Sequence, residues 1–386
     1  MKVLLCNKFY YRRGGDCIYT MNLEHMLKGH GHEVAIFAMQ YPQNAPSEWS
    51  EYWPKNMSKK DALTRPFGSK AVIEGFTRLI NDFRPDVVHL NNIHTQLSPV
   101  TARIAHKCGI RVVWTLHDTK LVCPCYTCTR NKKWCTECFT DKKAVIKHKC
   151  MHGSLSQSII GYLEARKWNK ENLQEYTDLF IAPSQFMMDV IMKGGYMANK
   201  FRVLCNFIDL EKVKKACFEK KNHYVYLGRI DEVKGVRLLC HVAAQMEQKL
   251  VVIGGGDLLD ELRGEYAHNS KIEFKGQMQW NDFRPILESA RFMVLPAEWS
   301  ENNPLTVIES QSLGTPVLGA RIGGIPELIE EGVNGMTFTS GDADDLKDKI
   351  ERMFAIKFNY KAISEKAVKR YSSEAYYGKL MECYKG

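Results

Sequence analysis

Twelve short apolar runs, six in each half of the chain, alternate with stretches of helical periodicity. No other feature constrains the fold as much. In the first half the runs are KVLLCNKF, EVAIFAM, DVVHLNN (86–92), RVVWTLHD (111–118), DLFIAPS (178–184) and FRVLCNF (201–207). In the second they are YVYLGRI (224–230), KLVVIGGG (249–256), KIEFKGQ (271–277), RFMVLPA (291–297), PVLGA (316–320) and MTFT (336–339). Strands this short and continuously apolar are buried on both faces. Helices between them act as crossovers, so the sheets are parallel and covered on both sides. A chain of 386 residues has room for two cores. The expectation is an α/β architecture: two doubly wound, Rossmann-like domains facing across a cleft, with ligands at the carboxyl ends of the strands. Residues 41–70, polar and rich in Trp and Pro, read as a long loop, and 154–176 as one helix.

Charge is unevenly placed. Residues 1–205 carry 29 Lys and Arg against 17 Asp and Glu, whereas 206–386 carry 25 against 27. A basic half points to an anionic partner, whether nucleic acid, a membrane surface or a phosphorylated substrate, with plain solubility as the alternative. The basic residues are dispersed, not set in one stripe with aromatics, which argues against nucleic acid. The opening MKVLLCNKFYYRRGG is charged too early for a signal peptide, and no run of about 18 apolar residues exists. The expected location is the cytoplasm. Thirteen cysteines there do not form a disulfide framework. Six of them fall within 123–150. There Cys125-x2-Cys128 and Cys135-x2-Cys138 have the spacing of a four-thiolate zinc site.

The stretch EWSENNPLTVIES (298–310) lies between two strand-like runs. Asn303-Pro304 is a helix-start signal, Asn as cap and Pro at the first helical position, with Gly314 as the stop. Glu301 then falls in the loop ahead of the helix and Glu309 in its second turn. Between them lies a helix N-terminus with free N–H groups, which attracts phosphate. One acid on each side of such an end suits a ligand with hydroxyls at both ends and phosphates in the middle, a nucleotide sugar. Alone, the pattern also fits a capped surface helix with solvated acids. Arg229, just after a strand, and Lys234 place two cations where a diphosphate would sit. Gly254 to Gly256 allow close approach of backbone to ligand. The D-x-D at Asp342, Asp344 and Asp345 reads as the acidic first turn of a helix and not as a metal motif.

In this order YLGRI…KG, VIGGGD, Phe274-x-Gly276, PAEWSE-x7-E, LGTPV and GGIPELI resemble the retaining glycosyltransferases of family 4, group 1 glycosyl transferases with the GT-B fold. The resemblance is close over 200–340 and looser over the first half, through Gly14-Gly15, WTLHD and APS. It implies an acceptor-side domain over 1–204, with a helix at 371–386 packing back on it, and a nucleotide-sugar domain over 205–370. It implies that Glu309 bonds the donor ribose, Glu301 the hydroxyls of the transferred sugar, and Arg229 and Lys234 the diphosphate. Amides of Leu305 and Thr306, beside Asn303, would touch sugar and phosphate, and backbone at Gly276 and Gln277 would bracket the base. From the first domain, Gly14 and Gly15 would approach the diphosphate. His117 would reach the sugar, with Asp118 orienting it; a satisfied histidine at a strand end is the competing account.

The implied reaction moves a sugar from a nucleotide diphosphate to a glycan or polyprenyl-diphosphate-linked acceptor with retention of configuration, in bacterial surface polysaccharide synthesis. No catalytic metal is implied. FYYRR (9–13) would meet an anionic membrane, placing the protein at the inner membrane face. A sugar-nucleotide epimerase on the same fold and a zinc-containing nucleic-acid-binding protein are the competing functions. Family members with L-C-P, C-x2-C and a lone Cys imply a structural zinc on Cys123, Cys135, Cys138 and Cys150, with Cys125 and Cys128 as extras. Redox control and ligand-free cysteines compete with that reading. The aromatic residues of YSSEAYYGKLMECYKG have helical spacing and read as core.

Overall fold

The computed structural model describes residues 1–55, 63–131 and 133–386. The chain divides into two compact units: Met1–Cys205 with Tyr377–Gly386, and Asn206–Tyr376. The first unit is built on β1 (Lys2–Cys6), β2 (Glu33–Phe37), β3 (Val87–Leu90), β4 (Arg111–Thr115), a small hairpin of β5 (Thr129–Arg130) and β6 (Lys133–Trp134), β7 (Leu179–Ala182) and β8 (Phe201–Val203). Its main sheet has the order β2-β1-β3-β4-β7-β8, every pair parallel. The second unit holds β9 (His223–Leu227), β10 (Lys249–Ile253), β11 (Ile272–Gly276), β12 (Met293–Leu295), β13 (Val317–Ala320) and β14 (Gly335–Phe338). Their order is β11-β10-β9-β12-β13-β14, again wholly parallel. The twelve apolar runs are the twelve strands of these two sheets.

Burial explains why the runs are continuous and not alternating. Val3, Leu4, Leu5 and Cys6 of β1 are all fully buried, because helices cover both faces of the sheet. In the second unit Tyr224, Tyr226, Leu250, Val252, Phe292, Val294 and Leu318 form one core with Leu239, Leu346 and Ile350 from the flanking helices. Each sheet order reverses once, between β1 and β3 and between β9 and β12. At such a point the loops leaving the two strands diverge to opposite faces and leave a crevice at their carboxyl ends.

Three local expectations change. The segment 154–176 forms two helices, Leu155–Lys167 and Lys170–Glu175. Trp168 turns inward to only 5% exposure, and Asn169 caps the second helix by accepting from the Asn172 amide. The expected loop 41–70 contains short 3-10 turns at Glu48–Tyr52 and Arg65–Phe67. It also holds Trp53, whose buried indole N–H donates to the Ile36 carbonyl; residues 56–62 of that stretch lie outside the described residues. Helix Leu305–Ser312 starts with Pro304, not Asn303, in the cap position. Asp342 does cap the helix Ala343–Ala355, accepting from the amides of Asp344 and Asp345. In the last helix, Ser373–Lys385, Tyr376, Leu380 and Tyr384 are core residues.

Candidate active site

In the second unit the loops after β9 and β12 flank the reversal of strand order. Lys234, from the first loop, is ion-paired with Glu301, from the second. Their side chains are 18% and 14% exposed, so the pair is largely withdrawn from solvent. Asp231 folds the first loop. Its Oδ1 accepts from the Lys234 amide at 3.2 Å, and its Oδ2 lies 3.0 Å from Arg229 Nη2. Arg229 itself is 69% exposed. The two cations therefore each carry their own carboxylate.

Glu301 is fixed by its backbone. The Gly324 amide donates to the Glu301 carbonyl at 2.7 Å. Gly323 has φ +61°, and a Cβ there would lie 2.2 Å from that same carbonyl oxygen. The glycine turn of GGIPELI is thus a mould for the Glu301 loop. Gly254 plays a similar part for β10: at φ +145° its missing Cβ would sit 1.8 Å from the Gly228 carbonyl. What approaches these glycines closely is the chain's own backbone at the end of β9. The Gly254 amide also donates to Gly276, which has φ +72°, and Gln277 beyond it is exposed.

The helix Leu305–Ser312 opens without a side-chain cap, with Leu305 and Thr306 in its first turn. Asn303 is instead buried and serves the polypeptide entering this unit. Its Oδ1 accepts from the Asn206 amide at 3.0 Å and its carbonyl from Asn206 Nδ2 at 2.8 Å. Two buried hydrogen bonds outcompete a cap that one solvent-facing amide would reward. Glu309, one turn into the helix, faces Lys212 at 3.6 Å. The Lys212 ammonium also lies 5.2 Å from the Trp280 ring centre. Lys212 and Asn206 were not legible as site residues, because their partners Glu309 and Asn303 are distant in sequence; Asp231 lies between its own partners, Arg229 and Lys234, with no signal of its own.

In the first unit the loops after β1 and β3 and the end of β4 flank the other reversal. Gly14 occupies the cap position of helix Gly15–Gly29, and Gly15 is exposed with open space where a Cβ would be. His117 lies against the first turns of that helix, its ring 5.1 Å from Tyr19 edge-on. Its Nε2–H donates to Asn91 Oδ1 at 3.1 Å. Burial pushes the His117 pKa down to about 4, Asp16 opposing and Lys8 reinforcing the shift. The ring is neutral at pH 7, with Nδ1 as the acceptor. Behind it His89 bridges Tyr384 Oη at 2.6 Å and Thr115 Oγ1 at 2.7 Å. Asp118 is raised by burial and accepts from the Lys120 amide. Its carboxylate thus holds the loop after β4.

The cysteine segment does not assemble the expected zinc site. Among the described residues no group of three or more His, Cys, Asp or Glu is arranged to hold a metal ion. Cys123 Sγ lies 3.3 Å from Cys125 Sγ, and the Cys128 and Cys138 side chains also approach Cys123. That grouping includes the two cysteines expected to be extras, and Cys150 reaches it through Cys125. Cys128 Sγ donates to Thr119 Oγ1 at 3.2 Å, and the Cys135 amide donates to the Cys128 carbonyl at 2.8 Å. Local hydrogen bonds organise the loop.

Comparison with known proteins places the whole chain. A family model described as Glycosyltransferase Family 4 matches residues 13–212, and one described as Glycosyl transferases group 1 matches residues 207–370. An uncharacterized 42.6 kDa protein in a cps region of Klebsiella pneumoniae is 23% identical over 350 residues, covering 85% of this chain and 87% of that protein. An uncharacterized glycosyltransferase of Methanocaldococcus jannaschii is 22% identical, over 92% of this chain and 89% of its own length. Among solved structures, a sucrose-phosphate synthase from Thermosynechococcus elongatus superposes with a TM-score of 0.71 at 18% identity, covering 100% of this chain and 98% of that one. Anabaena HepE in complex with UDP gives 0.70 at 16% identity, with 99% of each chain covered. The chain has the GT-B fold and belongs to the glycosyltransferases whose two halves these family models describe.

Proposed function

We propose that this glycosyltransferase takes a sugar from a nucleotide diphosphate, UDP-linked, and passes it with retention of configuration to a glycan or lipid-linked acceptor in surface polysaccharide assembly. The observation that carries the reading is the pairing of Lys234 with Glu301 ahead of helix Leu305–Ser312 and of Lys212 with Glu309 within it. The likeness to a protein in a cps region and to HepE bound to UDP supports the pathway and the donor.

In this reading the donor competes for the groups of the two ion pairs. A diphosphate draws Lys234 away from Glu301, and Arg229, already exposed, reaches the same charge. The released Glu301 carboxylate accepts from hydroxyls of the sugar, and Glu309 from the ribose. The uncapped amides of Leu305 and Thr306 meet the phosphate at the helix N-terminus. Gly276 and Gln277 border the base. In the first unit, Gly14 and Gly15 leave room for a diphosphate at the start of their helix, and His117 offers Nδ1 as an acceptor for a sugar hydroxyl. Departure of the diphosphate builds negative charge that Lys234 and Arg229 stabilise. The departing oxygen takes the proton of the acceptor hydroxyl as that hydroxyl attacks the same face.

Calorimetric titration with UDP and with UDP-glucose separates these roles. Glu309→Gln weakens both ligands by roughly tenfold or more, the loss of a charged hydrogen bond. Glu301→Gln weakens UDP-glucose but leaves UDP binding unchanged or tighter, because Lys234 loses its competing partner. Equal effects of the two changes on both ligands would sink the assignment. An inverted anomeric centre in the product, read by proton NMR, would remove retention.

A further inference from the structure

We propose that helix Leu155–Lys167 docks the first unit onto an anionic lipid bilayer. Leu155, Ile159 and Leu163 recur at four-residue spacing on one face of this helix, and they are 50%, 40% and 44% exposed. The opposite face is packed: Ser158, Gly161 and Glu164 are buried, and Gly161 lies against Met151. The helix has a single acid, Glu164, and it is turned inward to Lys120 at 3.0 Å with both side chains 6% exposed. Its outer face therefore offers three aliphatic side chains, small polar residues and, at the end, exposed Arg166 and Lys167.

The surroundings are mainly cationic. The short helix Ala144–Lys147 packs on Leu155–Lys167. It brings with it exposed Lys143, Lys147 and Lys149, and residues 142–154 contain no acid. Of the acids just before, Glu137 is engaged by Arg130 at 2.7 Å and by His148 at 2.9 Å. Exposed Asp141 accepts from the Lys143 amide. An apolar helix face rimmed by cations is the arrangement that lies in the plane of an anionic membrane, aliphatic side chains in the acyl boundary and cations at the headgroups. A second copy is a poorer occupant. Two-fold pairing through this face brings together two copies of one cationic rim, Lys147, Lys149, Arg166 and Lys167. Three half-exposed aliphatics offer only roughly 250 Å² where a stable interface needs about 1,200 Å² or more.

FYYRR is a weaker membrane surface. Tyr10 is buried, Phe9 packs on Tyr11 and Tyr41 at 5.6 and 5.1 Å, and the Arg13 guanidinium sits 4.4 Å over the Phe9 ring. Its aromatics are already engaged. The docking inference stands on the helix surface and not on the donor chemistry, so its test needs no substrate.

The experiment is flotation of the full chain with phosphatidylcholine vesicles and with vesicles containing phosphatidylglycerol, at low and high salt. The wild type is expected to float with the anionic vesicles at low salt only. The Leu155→Ser, Ile159→Ser, Leu163→Ser triple variant loses at least about tenfold in partitioning. Lys147→Glu with Lys149→Glu loses a similar factor, and Arg12→Glu with Arg13→Glu changes it less than about twofold. All five of those target side chains on the helix and its neighbour are exposed, so both variants should melt with the wild type; the charge reversal provides a second route if the triple variant does not. Failure of the wild type to float, floating of the triple variant like the wild type, or loss on the Arg12/Arg13 reversal alone overturns the proposal. So does a wild-type dimer in sedimentation velocity that the triple variant converts to monomer.

Discussion

Gly323→Ala tests whether the glycine turn positions Glu301. The added Cβ meets the Glu301 carbonyl oxygen at 2.2 Å, the Glu301 nitrogen at 2.7 Å and the Ser300 carbonyl carbon at 3.0 Å. All are backbone atoms, so no side chain can swing aside. Two costs combine. Holding alanine at φ +61° costs about 1–2 kcal/mol. Moving the Glu301 loop by about 1 Å to clear the contact forfeits the Gly324–Glu301 hydrogen bond, about 0.5–1.5 kcal/mol, and strains its neighbours. The total is about 2–4 kcal/mol. Gly332→Ala is the control: its φ is +73°, but nothing lies within 4 Å of its Cβ, so it carries the first cost alone, about 1 kcal/mol. At about 2–4 °C per kcal/mol for a unit of this size, Gly323→Ala lowers Tm by roughly 5–12 °C and Gly332→Ala by about 3 °C. Because a displacement of about 1 Å in a positioned group costs up to about a hundredfold, UDP-glucose affinity or turnover falls at least tenfold in Gly323→Ala alone. Differential scanning calorimetry and donor titration read both effects. If the two variants melt together and bind the donor alike, the glycine turn does not position Glu301.

Further outcomes follow from other parts of the molecule. Stability should fall on acidification between about pH 6.5 and 4. His117 has its pKa pushed down to about 4 and His89 to about 3, with His94 well below its ordinary value, all by burial. The unfolded chain takes up these protons first, so their contribution is complete above the unfolded pKa and lost as pH drops through that window, at up to about 1.4 kcal/mol per pH unit for each histidine. Guanidinium titrations at neutral and acidic pH measure it, and a flat profile would refute neutral burial. Cys135→Ser and treatment with a metal chelator should leave Tm unchanged; stoichiometric zinc in the purified protein, lost in Cys135→Ser, would reverse the reading of the cysteine loop. Asn303→Ala should destabilise the second unit by about 2–3 kcal/mol through the orphaned Asn206 amide, a larger loss than a missing cap gives.

The strands were legible because burial on both faces leaves continuous apolar runs bounded by polar turns, as in KVLLC and HYVYL. Glu301, Arg229 and Lys234 stood out because each follows a strand, and Glu309 because it lies one turn into the helix that follows Glu301. What the sequence hid was pairing. Lys234 and Glu301 are 67 positions apart, and Lys212 is 97 from Glu309, so only the folded sheet introduces them. Asn303 carried a cap signal, yet a tertiary partner claimed it. Trp168 broke an expected long helix because its large apolar surface gained more from burial than the helix gained from continuity. The cysteine spacing matched a zinc pattern, but spacing does not say whether the thiols converge.

The return of the last helix to the first unit sets an order on biosynthesis. Tyr377 stacks on His30 at 3.7 Å and bonds His32 Nε2 at 2.9 Å, Tyr384 bonds His89, and the Cys383 carbonyl accepts from Arg111. These partners lie just after helix Gly15–Gly29 and along β3 and β4, elements made early in translation. The first 205 residues thus emerge from the ribosome with a gap in their core that is filled only after Asn206–Tyr376 has been made. The second unit, continuous in sequence, can fold while the first still waits for its closing piece. A ribosome stalled before residue 377 would hold a finished second unit and an unfinished first one, a species for chaperones to shelter.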